Sequence, residues 1–105
     1  MTTPTTQLSL RYLRADWPLV AVVEHFNPHA RIRQDLYGFI DLLAVGPGGT
    51  LAVQTTTAAH VADRIRKIAD HPTLPAVRSA GWSIHVHGWA KRGRLWVLAR
   101  NEDIS

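Results

Sequence analysis

The stretch Gly38–Thr56, GFIDLLAVGPGGTLAVQTT, decides how this chain is read. Two apolar runs, LYGFIDLLAV and LAVQTT, flank Gly46-Pro47-Gly48-Gly49, and such a cluster of turn formers between strand-like runs marks a β-hairpin. The polar residues of this hairpin stand out. Asp41 heads the first strand, and Gln54 followed by two threonines closes the second. A buried polar group without a partner costs roughly 1–3 kcal/mol. These side chains are therefore either satisfied structurally, with Asp41 capping the strand and Gln54 and Thr56 on a polar sheet face, or they form a site.

Upstream of the hairpin, Thr5 or Thr6 caps a helix running to about Ala15, with Leu8, Leu10 and Leu13 as its apolar face, before Trp17-Pro18 ends it. The short, β-branched run LVAVVEHF (19–26) reads as a strand, with continued helix as the alternative, and NPHARIRQD (27–35) as a polar connector. Downstream, Thr56 or Thr57 caps AAHVADRIRKIAD, in which Ala58, Val61, Ile65 and Ile68 recur at helical spacing. His60, Asp63, Arg64 and Lys67 fall on its polar side. Pro72 and Pro75 stop that helix, and AVRSAG adds a short helical turn ending at Gly81. WSIHVHGW and RLWVLA then read as two strands joined by the basic turn Lys91-Arg92-Gly93-Arg94. Helix, three strands, helix and a strand pair make an α/β domain around a mixed central sheet.

The chain has 105 residues, enough for one domain with a single core and a size at which homodimers are common. With 46% hydrophobic and 19% charged residues, it has the composition of a globular chain rather than a disordered one. No apolar run approaches the roughly 20 residues that cross a bilayer, so no membrane partner is expected. MTTPTTQLSL lacks a basic segment followed by an apolar one, and there are no cysteines; both features point to a cytoplasmic protein without disulfides or thiolate metal sites. Twelve Lys and Arg against eight Asp and Glu give a net charge of +4. Only Lys67 and Lys91 are lysines, and arginine suits bidentate phosphate contact, which favours a nucleic-acid partner.

The motif GFIDLLAV…GGTLAVQTT resembles the core of the PD-(D/E)xK nuclease superfamily, whose small members include Holliday-junction resolvases and phage-type resolvase-like nucleases. The resemblance covers about residues 8 to 100 by element order and 35 to 56 by motif. It implies a restriction-endonuclease-like αβββαβ core, with a mixed central sheet flanked by helices. In the family pattern an Asp opens the second strand, an acidic residue ends the third, and a Lys follows two positions later. Asp41 matches the first position, whereas Gln54 occupies the acidic one and Thr56 the lysine one. The resemblance implies a Mg²⁺- or Mn²⁺-dependent DNA endonuclease, acting on branched or otherwise unusual DNA, with a phage or mobile-element origin and a homodimeric state.

The chemistry explains the residue types. Phosphodiester hydrolysis calls for a divalent cation, held by carboxylates, that polarises the phosphate and acidifies an attacking water. A side-chain cation then stabilises the charge that develops. Under this reading Asp41 and Gln54 bind metal, Glu24 or Asp35 restores a second acidic ligand, and Lys67 or Arg64 on the following helix replaces the missing lysine. Glu24 and Asp35 also read as surface partners for Arg31 and Arg33, and Lys67 as an i,i+4 partner of Asp63 on a solvated face. Arg31, Arg33, Arg64, Lys91, Arg92 and Arg94 would supply phosphate contacts around an acidic pocket.

His85 and His87, at i and i+2 on a strand, have the spacing of a two-histidine metal pair as well as that of surface or interface residues. Trp82, Trp89 and Trp96 suit a core or an interface, and an exposed one would stack on an unpaired base. Two rival functions share these features: a nucleic-acid-binding module of the same fold without catalysis, favoured by Gln54 and Thr56, and a protein-interaction or inhibitor module using the tryptophan-rich end strands.

Overall fold

In the computed structural model, which describes residues 3–105, helix α1 (Pro4–Arg14) opens the chain. Its cap is Thr3 rather than Thr5 or Thr6: the Thr3 hydroxyl accepts the Thr6 N–H at 3.2 Å, and Pro4 takes the first helical position, where its missing N–H is no loss. The run 19–26 is not one strand. Strand β1 (Leu19–Val22) is followed by a break at Val23-Glu24 and then by β2 (His25–Asn27), which pairs with β3 (Ile32–Gln34) in a separate two-stranded hairpin. The expected connector thus contains a hairpin, whose turn is built by Asn27 Oδ1 accepting the N–H groups of His29 and Ala30 at 3.0 and 3.2 Å.

The central hairpin is β4 (Leu42–Gly46) and β5 (Gly49–Thr57), closed where Gly46 pairs with Gly49. A 3-10 turn (Ala58–His60) leads into α2 (Val61–Ala69) and then α3 (Leu74–Ser79). Pro75 does not terminate a helix but sits in the first turn of α3, which tolerates it. Strands β6 (Ser83–Arg92) and β7 (Leu95–Asp103) complete the chain, joined through Gly93 at φ 63.

The five remaining strands form one mixed sheet in the order β1-β4-β5-β6-β7, antiparallel throughout except for the parallel β5–β6 pair, whose crossover connection is supplied by α2 and α3. Side-chain alternation along β5 sorts the core into two layers. Leu51 and Val53 join Leu42 and Ala44 beneath Leu10 and Leu13 of α1. Ala52, on the opposite face, joins Ile84 and Val86 of β6 beneath Val61, Ile68, Leu74 and Val77 of α2 and α3. Each fully buried aliphatic side chain contributes about 1.5–3 kcal/mol. The crossover packs so closely that a Cβ on Gly88 of β6 would meet the Val61 side chain and lie 3.0 Å from Ala58 Cα.

Candidate metal centre

Three chain segments converge at the end of the sheet where β1 and β5 finish and β4 starts. Asp41 lies one residue before β4. Its N–H donates to Val53 O and its carbonyl accepts from Val23 N–H, both at 2.9 Å, so its backbone is pinned between neighbours on either side. Its carboxylate then continues the ladder in place of main chain: Oδ2 accepts the Thr55 N–H at 2.8 Å and faces the Thr55 hydroxyl at 3.4 Å. Glu24, in the break after β1, is held by the Thr6 hydroxyl at 3.0 Å and by Arg33 Nη1 at 3.3 Å, both donating to Oε1. Asp35 arrives on the loop after β3. One carboxylate oxygen from each of Glu24, Asp35 and Asp41 lies within 4.8 Å of the others.

These carboxylates share a cavity of about 150 Å³ with Thr3, Thr55, Arg33 and Arg64. Burial is the main force on Asp41; with a hydrogen bond donated by its protonated carboxyl to Asp35 and the negative charge of Asp35 added, it pushes the Asp41 carboxyl up to about 9, against the opposing pull of the Thr55 N–H. Asp35 is raised as well, chiefly by burial and then by the charge of Glu24, while its bond to Asp41 and the Arg64 and Arg33 guanidiniums draw it down. Three carboxylates this close cannot all carry charge without a proton or a cation among them. An all-oxygen, mostly anionic donor set is what hard cations such as Mg²⁺ and Mn²⁺ take, so the residues fit that class of metal.

The remaining candidates are placed as follows. Gln54 and Thr56 are 5% and 6% exposed, but alternation puts them on the Ala52 face of β5, away from Thr55, and Gln54 does not line the acidic cavity. Among the described residues the Gln54 Oε1 has no hydrogen-bond partner. Lys67 is 71% exposed at its side chain and pairs with Asp63 at 3.2 Å; the α2 cation in the cavity wall is Arg64. Arg31 is exposed at the β2–β3 turn, in a left-handed conformation with φ 56. Lys91, Arg92 and Arg94 are exposed at the tip of the β6–β7 hairpin, with Lys91 Nζ 5.8 Å above the Trp96 ring. Because Thr57 pairs with Trp89, that tip lies three residues, about 10 Å, beyond the end of β5, at the same end of the sheet as the carboxylates.

His85 lies 3.7 Å from Asp103, and neither it nor His87 joins a group of three metal-ligating side chains among the described residues. His87 belongs instead to a polar layer beneath α1 that sequence reasoning missed. Trp89 Nε1 donates to Ser9 Oγ at 2.8 Å, Ser9 Oγ lies 2.8 Å from His87 Nδ1, and the Thr55 hydroxyl meets those of Thr5 and Thr6 at 3.3 and 3.2 Å. Burial, and secondarily His85, holds His87 down to about 4. The missed signal was the spacing of Thr6, Ser9, Leu10 and Leu13 at i, i+3, i+4 and i+7, a complete buried helix face in which two members are hydroxyls.

No protein-family model, curated protein or solved structure matches the chain. Among the described residues, no helix is long and apolar enough to cross a membrane.

Proposed function

We infer that the protein is a divalent-metal-dependent nuclease acting on DNA, built on the αβββαβ core of the PD-(D/E)xK enzymes. One observation carries this reading: carboxylate oxygens of Glu24, Asp35 and Asp41 lie within 4.8 Å of one another in a cavity that also holds two arginines. With the β2–β3 hairpin, α3 and β7 set aside, the order α1, β1, β4, β5, α2, β6 and the pairing β1-β4-β5-β6 support the finer fold assignment.

Glu24, Asp35 and Asp41 would hold the cation, with the Thr55 N–H fixing Asp41 and the Thr6 hydroxyl fixing Glu24. When bound, Mg²⁺ or Mn²⁺ supplies polarisation of the phosphodiester and a more acidic attacking water. Arg33 and Arg64 stand where they would orient phosphate oxygens and neutralise developing charge. Lys91, Arg92 and Arg94 would grip the backbone farther along the strand.

A second reading, a DNA-binding module of the same fold without catalysis, is favoured by the absence of lysine from the described cavity wall: Lys67 is engaged by Asp63. Cleavage of labelled linear, single-stranded and four-way-junction DNA with Mg²⁺ or Mn²⁺, beside EDTA and Asp41→Ala controls, separates the two. Metal-dependent products that vanish in Asp41→Ala support the nuclease. DNA binding without products supports the module, and undiminished cleavage by the variant removes Asp41 from the catalytic centre.

A further inference from the structure

The loop that delivers Asp35 also delivers an aromatic ring. Tyr37 is 52% exposed and takes a left-handed backbone conformation, φ 54, with Gly38 following at φ 92. For an aromatic residue this conformation costs about 1–2 kcal/mol, and the loop is held in it by the α2–α3 link. The Thr73 hydroxyl donates to the Tyr37 carbonyl at 2.7 Å, and the His71 ring packs on Gly38 so tightly that no Cβ would fit. The Tyr37 ring, so fixed, lies 6.3 Å from that of Trp82, the planes tilted by 41°.

Beside these rings opens a cavity of about 440 Å³, whose other walls are Pro72, Thr73, Ala76, Val77 and Ala80. A second cavity, of about 500 Å³, has Arg33, Asp35 and Tyr37 in its wall. Arg33 and Asp35 line both this cavity and the carboxylate cavity, and Tyr37 lines both this cavity and the aromatic one, so the three are neighbours linked by shared wall residues.

We propose that the Tyr37–Trp82 cavity takes an unpaired nucleobase of the DNA strand whose phosphate lies at Arg33 and the carboxylates. The inference rests on the nucleic-acid reading above. A nucleotide joins an anionic phosphate to a flat apolar ring through one sugar, and the loop after β3 places Asp35 in the wall of the carboxylate cavity and Tyr37, two residues on, in the wall of the aromatic one. Thr73 donates its hydroxyl to the Tyr37 carbonyl, so the cavity meets a base chiefly through the Tyr37 and Trp82 rings, and stacking on them tolerates any base. A base inside a duplex is stacked and paired and does not reach a recessed cavity, whereas a bulged, single-stranded or junction base does. The cavity therefore selects DNA structure.

The test compares binding of a fully paired duplex with one carrying a single unpaired 2-aminopurine, by wild type, Tyr37→Asn and Trp82→Leu. Asparagine tolerates the left-handed backbone, so Tyr37→Asn removes the ring and spares the loop. Wild type is expected to bind the unpaired-base duplex about 10-fold more tightly than the paired one, with 2-aminopurine emission quenched, and both variants to lose that preference while keeping their affinity for the paired duplex. Equal wild-type affinity for the two duplexes, or a preference kept by both variants, overturns the base site and leaves the nucleic-acid reading standing. Absence of binding to either duplex overturns both.

Discussion

Replacing Asp41 with asparagine should make the metal-free protein more stable while removing its response to metal. The carboxyl stands at about 9 in the folded protein against an ordinary 3.8. A folded-state value above the unfolded one means that the stability it contributes is complete below about pH 4 and drains away as pH rises toward 9. Each pH unit within that window costs about 1.4 kcal/mol, so by pH 7 about 4 kcal/mol is lost, spread over the Asp35–Asp41 pair. Asparagine keeps an acceptor for the Thr55 N–H and needs no proton. Urea denaturation in EDTA at pH 5, 7 and 8.5 is the assay. Wild type should weaken steadily across the series, and Asp41→Asn should be the more stable protein at pH 7 by up to about 4 kcal/mol. Excess Mg²⁺ should then stabilise wild type alone, by about 2.7 kcal/mol at a hundred times its Kd. A wild-type stability flat from pH 5 to 8.5, with Asp41→Asn the weaker protein throughout, would refute the reasoning: Asp41 would then be an ionised acceptor in an ordinary structural role.

His87 carries the opposite pH dependence. Its folded value of about 4 lies below the ordinary 6.5, so its contribution is intact above pH 6.5 and is lost as pH falls toward 4, by about 3 kcal/mol in all. Because Asp41 acts with the other sign over the same range, the loss is read most directly from denaturation midpoints of Asp41→Asn at pH 7, 5.5 and 4.5; constant midpoints would show that the Ser9–His87–Trp89 network accepts the proton without cost. For the basic groups, phosphate contact by Arg33, Arg64, Lys91, Arg92 and Arg94 predicts a log–log salt dependence of DNA affinity with slope near −4 to −5, and Ala at the three tip positions should flatten it by about 3. An unchanged slope would place the β6–β7 tip off the DNA.

Much of the architecture was legible because it is written locally. The Gly46–Gly49 cluster marks its turn, and Ala58, Val61, Ile65 and Ile68 mark the helical region after β5, in which α2 runs from Val61 to Ala69. The β2–β3 hairpin was not legible: its strands are three residues each, Ile32–Gln34 is exposed throughout, and alternation limited to one apolar residue per strand is too short to mark one. At the candidate site, Glu24, Asp35 and Asp41 are recognisable as carboxylates near strand ends, but their convergence depends on where the chain leaves the sheet. That departure also decides parity. Strand β4 begins at Leu42, Asp41 reaches across with its side chain, and it meets Thr55 rather than Gln54. The choice between Arg64 and Lys67 was open to periodicity: Arg64 is three residues after Val61 and four before Ile68, both fully buried, so it borders the packed face, whereas Lys67 does not share that register.

The β6–β7 ladder is irregular at one place. Gly88 pairs with Arg100 and Trp89 with Leu98, leaving Ala99 outside the register. One extra residue inverts the in–out alternation of β7 on either side of it and strengthens the local twist. The half of the hairpin nearer the helices is bound to its pattern, since Gly88 admits no side chain against Ala58 and Val61. Beyond Ala99 the inner and outer faces are set afresh, and the arm is exposed from Lys91 to Trp96. Over evolutionary time the distal arm can therefore be lengthened, shortened or recharged at its Gly93–Arg94 turn without transmitting a change of parity to the core, which leaves its reach and charge open to selection separately from the carboxylates.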